Sequence, residues 1–352
     1  MRVAVYRSGM EDVELGPDDA FVVAPVLGMA ALAKAWLTEP DWRDPLVRRR
    51  MLPPGGTSTY VPMRDGWPVR TLRWPRRDDG LGTILMIGGR ADFAEKYCET
   101  LHDLTEAGWG VAIFDWRGQG LSRRVGKTPQ HGASPGFGVW LDDLNEMLAW
   151  AASDGPVQVM AHSMGGHLLL RHLAAGGAHV ARAVVMAPMV GLMGAPLGPL
   201  PTRILTSIQM LRGLGSDYVL GGGPWRAGMA GDRRQTMLTS DPERYADESW
   251  WIGQYPSLAL GSVTWGWLDD AFASIAALTG AGVPEAISTP LLALVPDKDG
   301  LVDSAATRRF ISRVPGGLCV DYPGAGHELL REAEPLRSQV LARAVEFLTT
   351  GR

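Results

Sequence analysis

The stretch VQVMAHSMGGHLLLRHLAA, Val157–Ala175, decides the fold. An apolar strand pattern, Val157 to Ala161, runs straight into a helical pattern that begins at Met164, with Ser163 at the junction. A serine on so tight a turn has the arrangement of a nucleophile elbow, in which the residues two before and two after must be small enough for strand and helix to approach. Ala161 and Gly165 hold those positions; Ala161 adds one methyl to the usual glycine, and Gly166 gives slack. The following helix would set its N-terminal dipole beneath the serine. A serine that merely caps an ordinary helix is the competing reading. The rest of the chain decides between them.

Working outward, short apolar runs recur at Val69–Trp74, Thr83–Gly88, Trp109–Asp115, Ala181–Ala187, Pro290–Pro296 and Leu318–Pro323. Helical patterns lie between or beside them at Phe93–Ala107, Phe137–Ala152, Met164–Ala175, Ser304–Arg313 and Pro335–Thr349. Strands alternating with helices imply an α/β fold with a mostly parallel central sheet covered by helices on both faces. The rhythm breaks at 192–285, where Gly and Pro clusters, aromatics and short helical patterns suggest a helical cap inserted between two core strands. The expected organisation is therefore an N-terminal extension at 1–56, a core at 57–191 and 286–352, and a cap at 192–285.

A nucleophilic serine needs a base to take its proton and a carboxylate to orient that base, and on such a sheet the chain order is Ser, then Asp or Glu, then His. Of the seven histidines, His327 follows the last strand in the Gly-rich turn YPGAGHELLRE. His102, His167, His172 and His179 fall on or just past helices, where packing or surface roles are expected, and His162 is expected to be structural. His131 is unassigned. Asp297, Asp299 and Asp303 all follow the strand PLLALVP. Asp299 is preferred because the apolar pair Leu301–Val302 can anchor its loop, whereas Asp303 suits a helix cap. Ser163, Asp299 and His327 then stand in the right order at the carboxyl ends of strands.

These motifs resemble the bacterial lysophospholipase and monoacylglycerol lipase branch of the α/β-hydrolases, close to the serine aminopeptidases. The resemblance covers roughly 57–350 and rests on GGRADFAEKYCETLHDLTEAGWGVAIFDWRGQGLSRR, AHSMGGHLLLRHL, DKDGLVD and GAGHELLRE. Members normally have glycine at position 161 and often His-Gly before the oxyanion turn; here Ala161 and Gly88-Gly89 stand there. The resemblance implies an α/β-hydrolase fold and a serine ester hydrolase acting on single-chain lipids through an acyl-enzyme, without a cofactor or metal. It also implies an oxyanion hole from the backbone N–H groups of Met164 and Arg90, the Arg90 side chain pointing away. In DWRGQGLS, Asp115 and Arg117 are expected to pin the sheet edge. An aminopeptidase of the same fold is the alternative, with Asp247, Glu248, Asp269 or Asp270 holding the amine. A silent binding or scaffold protein is the alternative from another class.

Composition narrows the partners. The chain has 352 residues, 46% of them hydrophobic and 20% charged, enough for a substantial core. A net charge of -4 and the lack of a long Lys/Arg block exclude a phosphate-tracking face, so no nucleic acid is expected. Cys98 and Cys319, without metal spacing, read as core thiols of a reducing compartment. No secretory signal pattern is evident, and a cytoplasmic location is expected. The apolar segment 21–37, followed by Arg43, Arg48, Arg49 and Arg50, is a candidate for peripheral contact with the inner face of a membrane. Trp225, Trp250, Trp251, Trp265 and Trp267, with Met193, Met210, Met229 and Met237, could line an acyl slot or simply form the core of the cap. Oligomeric state is not legible.

Overall fold

The computed structural model describes residues 40–77, 80–193, 198–226 and 231–352. Segment 21–37 and Met229 lie outside the described residues. The chain divides into two compact units, Met1–Asp44 and Pro45–Arg352, and the site lies in the second. That unit opens with a short helix, α1 (Pro45–Arg50), and then builds an eight-stranded sheet. The strands are β1 (Thr57–Pro62), β2 (Pro68–Trp74), β3 (Thr83–Ile87), β4 (Gly110–Phe114), β5 (Val157–His162), β6 (Val180–Met186), β7 (Leu291–Pro296) and β8 (Leu318–Tyr322). Their order is β1-β2-β4-β3-β5-β6-β7-β8, antiparallel at β1–β2 and β2–β4 and parallel from there on. This is the α/β-hydrolase architecture that the motifs implied.

Alternation along the strands explains why both faces are apolar. Leu85, Ile87, Ala112, Phe114, Val159, Ala161 and Val185 enter one core, against α3 (Phe137–Ala151) and α4 (Ser163–Ala174). Ile84, Met86, Val111, Ile113, Met160, Val184 and Leu294 enter the other, against α2 (Cys98–Glu106) and α10 (Leu336–Thr350). Successive side chains of a strand point to opposite faces, so a strand covered by helices on both sides must be apolar throughout.

The segment between β6 and β7 is helical: α5 (Pro199–Leu211), α6 (Gly231–Leu238), α7 (Pro242–Gln254) and α8 (Trp265–Leu278). The helix α9 (Ser304–Ile311) follows β7. Two expectations are corrected. The run Phe93–Ala107 is a 3-10 turn, Ala94–Tyr97, before α2, because Asp115 Oδ1 takes the Ala94 N–H and tightens that end. Cys98 is buried, but Cys319 is exposed on β8, which lies at the sheet's edge. Among the described residues no helix is long and apolar enough to cross a membrane.

Candidate active site

Ser163 sits where β5 hands over to α4, with φ 52°, a left-handed conformation that costs a non-glycine residue about 1–3 kcal/mol. The surroundings enforce it. A Cβ at Gly165 would run into the Gly88 carbonyl oxygen and Ile87, so helix and turn approach only because that residue is glycine. Ala161 is fully buried within the core, where its extra methyl is accommodated. A Cβ at Gly89 would stand 2.8 Å from Ser163 Cβ, which puts the Gly88–Gly89 turn directly beside the serine.

The structure brings the three residues at the strand ends together. His327 Nε2 lies 2.9 Å from Ser163 Oγ, and His327 Nδ1 lies 2.6 Å from Asp299 Oδ2. The side chains of Asp299 and His327 are buried. Asp299 Oδ1 accepts the backbone N–H groups of Leu301 and Val302 at 2.8 and 2.9 Å, which fixes the carboxylate and turns its other oxygen to the imidazole. The neighbouring aspartates are engaged elsewhere: Asp297 accepts the Gly324 N–H at 2.6 Å, and Asp303 caps α9 by accepting from Ala306 N at 2.9 Å. With Asp Oδ2 facing Nδ1, the neutral ring carries its proton on Nδ1, and Nε2 is left to accept from the serine hydroxyl.

Met164 follows the serine in the first turn of α4, where backbone N–H groups have no intrahelical acceptor. Arg90 follows the Gly88–Gly89 turn, and its N–H has no acceptor among the described residues. The Gly89 N–H, by contrast, is held by Asp92 Oδ2 at 2.7 Å.

Asp92 was not legible as a site residue. It also accepts from Tyr97 Oη at 2.6 Å and Lys96 Nζ at 2.8 Å, and it faces His162 Nδ1 at 3.0 Å. His162 Nε2 faces the His327 backbone oxygen at 3.2 Å. Both nitrogens of His162 therefore face acceptors, and only the imidazolium donates to both. Burial disfavours that charge, but the hydrogen bond and charge of Asp92 outweigh it and raise the pKa of His162. For Asp92, burial is likewise overcome, by Lys96 and His162, and its carboxyl is held well below the usual range. The structural role expected of His162 becomes specific: through Asp92 it joins the Gly88–Gly89 turn to the backbone of His327. The only sequence signal for Asp92 was its position four before Lys96 at the start of a helical run, which marks a salt bridge rather than a site.

The remaining expectations are met unevenly. Asp115 accepts from Ala94 N, Leu121 N and Arg70 Nη1, and Arg117 pairs with Asp65 and Asp143, tying this loop to the sheet edge and to α3. His167 is buried between the Met189 carbonyl and Ser274 Oγ, and desolvation drops its pKa to about 3, a neutral packing residue. Of the tryptophans, Trp251, Trp265 and Trp267 are buried; Trp267 belongs to the main core and Trp251 packs with Phe93 and Cys98. Trp267 and Trp251 thus serve as core of the insertion, and Trp251 also borders a cavity with Arg49, Lys96 and Arg244. The Arg90 side chain reaches the insertion, donating from Nη2 to the Gly261 oxygen at 2.6 Å.

Fold and site together define a serine hydrolase of the α/β-hydrolase class. The chain belongs to the family described as serine aminopeptidase, S33, which it matches over residues 79–334. It is 29% identical over 294 residues to lysophospholipase L2 of Escherichia coli (strain K12), covering 80% of this chain and 84% of that one. It is 27% identical over 278 residues to a monoacylglycerol lipase of Mycolicibacterium smegmatis, covering 74% and 86%. A soluble variant of monoglyceride lipase from Saccharomyces cerevisiae shares the fold, with TM-score 0.66 and 20% identity over 84% of this chain and 97% of the other.

Proposed function

We propose that this protein hydrolyses single-chain lipid esters, lysophospholipids or monoacylglycerols, with Ser163 as nucleophile, His327 as base and Asp299 as its orienting carboxylate. The observation that carries the reading is the unbroken relay from Ser163 Oγ to His327 Nε2 at 2.9 Å and from His327 Nδ1 to Asp299 at 2.6 Å. Ser163 Oγ attacks the ester carbonyl carbon as its proton passes to Nε2. The carbonyl oxygen becomes an oxyanion facing the N–H groups of Met164 and Arg90, each donor worth about 3 kcal/mol by mutational precedent. Collapse breaks the bond to the alcohol, which leaves with the proton from Nε2. Water then gives its proton to Nε2, attacks the acyl-serine, and releases the fatty acid and Ser163.

Lipid rather than peptide substrates are supported by the relatives' names and by the state of the acidic residues in the insertion. Asp247 is spent on Arg49 and Arg50, and Glu248 on Lys96 and Arg234. Burial raises the pKa of Asp270, and Asp269 beside it has no ion-pair partner among the described residues, so Asp269 is the carboxylate on which the aminopeptidase alternative would rest. An aminopeptidase needs a free carboxylate to hold the substrate amine. The helix α5 supports a lipid interface: Leu200, Ile204, Ile208 and Leu211 are exposed one turn apart, at 68, 55, 47 and 90%, with Arg203 within the run and Arg212 at its end. We read this stripe as lying on an anionic membrane surface, peripheral rather than spanning.

A fluorophosphonate probe tests the nucleophile. Wild type should label and Ser163→Ala should not; equal labelling of both would remove Ser163 from its role. A panel of lysophosphatidylcholine, monoacylglycerol and aminoacyl amides tests the substrate class, and preference for the amides would sink the lipid reading.

A further inference from the structure

Arg90 leaves the turn beside Ser163 with its side chain in an unusual state. Nη2 donates to the Gly261 oxygen at 2.6 Å, and the guanidinium carbon stands 5.6 Å from the centre of the Trp267 ring. Its Nε is buried with no acceptor among the described residues, and so is the indole N–H of Trp267, the ring it faces. No carboxylate pairs with Arg90 among those residues, and desolvation brings its pKa down to about 10. Among the described residues, every arginine that is buried as a whole residue does meet a carboxylate: Arg70 meets Glu95, Arg117 meets Asp143, Arg244 meets Glu99, Arg331 meets Glu328 and Arg337 meets Asp103. Arg124 also lacks a carboxylate, but its terminal nitrogens are taken by the carbonyls of Gly118, Ser257 and Ala259. Arg90 alone among these combines a missing counter-ion with an unused buried donor and a place next to the nucleophile.

A desolvated guanidinium is an unfavourable thing to keep unless something anionic joins it. Its planar fork suits two oxygens of one phosphate. The serine fixes where the substrate's ester carbonyl must lie, and the Gly88–Gly89 turn stands against that serine. In a lysophospholipid the glycerol unit separates ester and phosphate by a span comparable to the reach of an arginine side chain. Resting on the lipid-ester reading above, we propose that the Arg90 guanidinium binds the phosphate of the substrate's head group, exchanging the Gly261 carbonyl for phosphate oxygens. The site thereby selects lysophospholipids over monoacylglycerols.

The test compares lysophosphatidylcholine with a monoacylglycerol of the same acyl chain, using the full chain. The ratio of their kcat/KM values cancels any effect of the substitution on the oxyanion turn they share. In Arg90→Gln this ratio should fall about tenfold or more against lysophosphatidylcholine, with Arg90→Lys in between. An unchanged ratio would overturn the proposal, leaving Arg90 as a latch on the Gly261 loop. A second measurement needs no variant: glycerophosphocholine should compete with substrate in the wild type, and glycerol should not. Inhibition by inorganic phosphate equal to that by glycerophosphocholine would mark a site for free anions and also overturn the head-group assignment. A wild type that hydrolyses neither ester would overturn the proposed function and this inference with it, whereas turnover of both with an unaltered ratio removes this inference alone.

Discussion

Asp299 holds His327 with one carboxylate oxygen and its own loop with the other: Oδ2 is 2.6 Å from His327 Nδ1, while Oδ1 takes the Leu301 and Val302 N–H groups. Asp299→Asn keeps an acceptor for the loop but loses the charge beside Nδ1. We expect kcat to fall by about 10³–10⁴ with folding intact, because the imidazole takes the wrong tautomer. Steady-state turnover and circular dichroism check this. The same loss in Asp297→Asn or Asp303→Asn, with Asp299→Asn active, would contradict the assignment.

The elbow gives an asymmetric pair. Ala161→Gly removes one methyl from a strand in the core and should stay active within about tenfold. Gly165→Ala drives a Cβ into the Gly88 backbone oxygen and the Ile87 side chain at the end of β3, and should abolish turnover. Active-site titration with fluorophosphonate separates a displaced serine from simple unfolding, which thermal melts report.

These two cases mark where sequence reading ends. The elbow and the parallel strands were legible because small residues and apolar runs are local signals. The β1 strand was not separated, since Thr57–Pro62 is an exposed edge with little apolar alternation. The link from Asp92 through His162 to His327 joins residues far apart in the chain, and no period announces it. The tryptophans of the insertion left an acyl slot and a core of the insertion equally open, because composition does not say which face of a helix turns to the core.

His162 makes stability depend on pH in a stated direction. Its folded-state pKa is raised above an unfolded value of about 6.5, so its contribution is full below pH ~6.5 and is lost as pH rises through the folded value. Urea midpoints of wild type and His162→Gln, measured from pH 5 to 9, should differ most at the acid end and converge at the alkaline end. A gap that widens with pH would show that the neutral ring is the stabilising form.

The apolar stripe of α5 predicts a split between substrates. In Ile204→Asp/Ile208→Asp, hydrolysis of lysophospholipid in anionic vesicles should fall far more than hydrolysis of a short soluble ester, and vesicle co-sedimentation should fall with it. Equal losses on both substrates would assign these residues to packing instead.

The backbone of the His327 loop is tied to the insertion. His327 N–H donates to the Met237 oxygen at 3.0 Å, and Glu328 N–H donates to the Leu238 oxygen at 2.7 Å. The end of α6 is thus a backbone anchor for the loop that carries His327: displacing it would break both hydrogen bonds and shift the imidazole with them. One covering segment shares its backbone hydrogen bonds with the loop that carries His327, so a change at the end of α6 is felt at the imidazole.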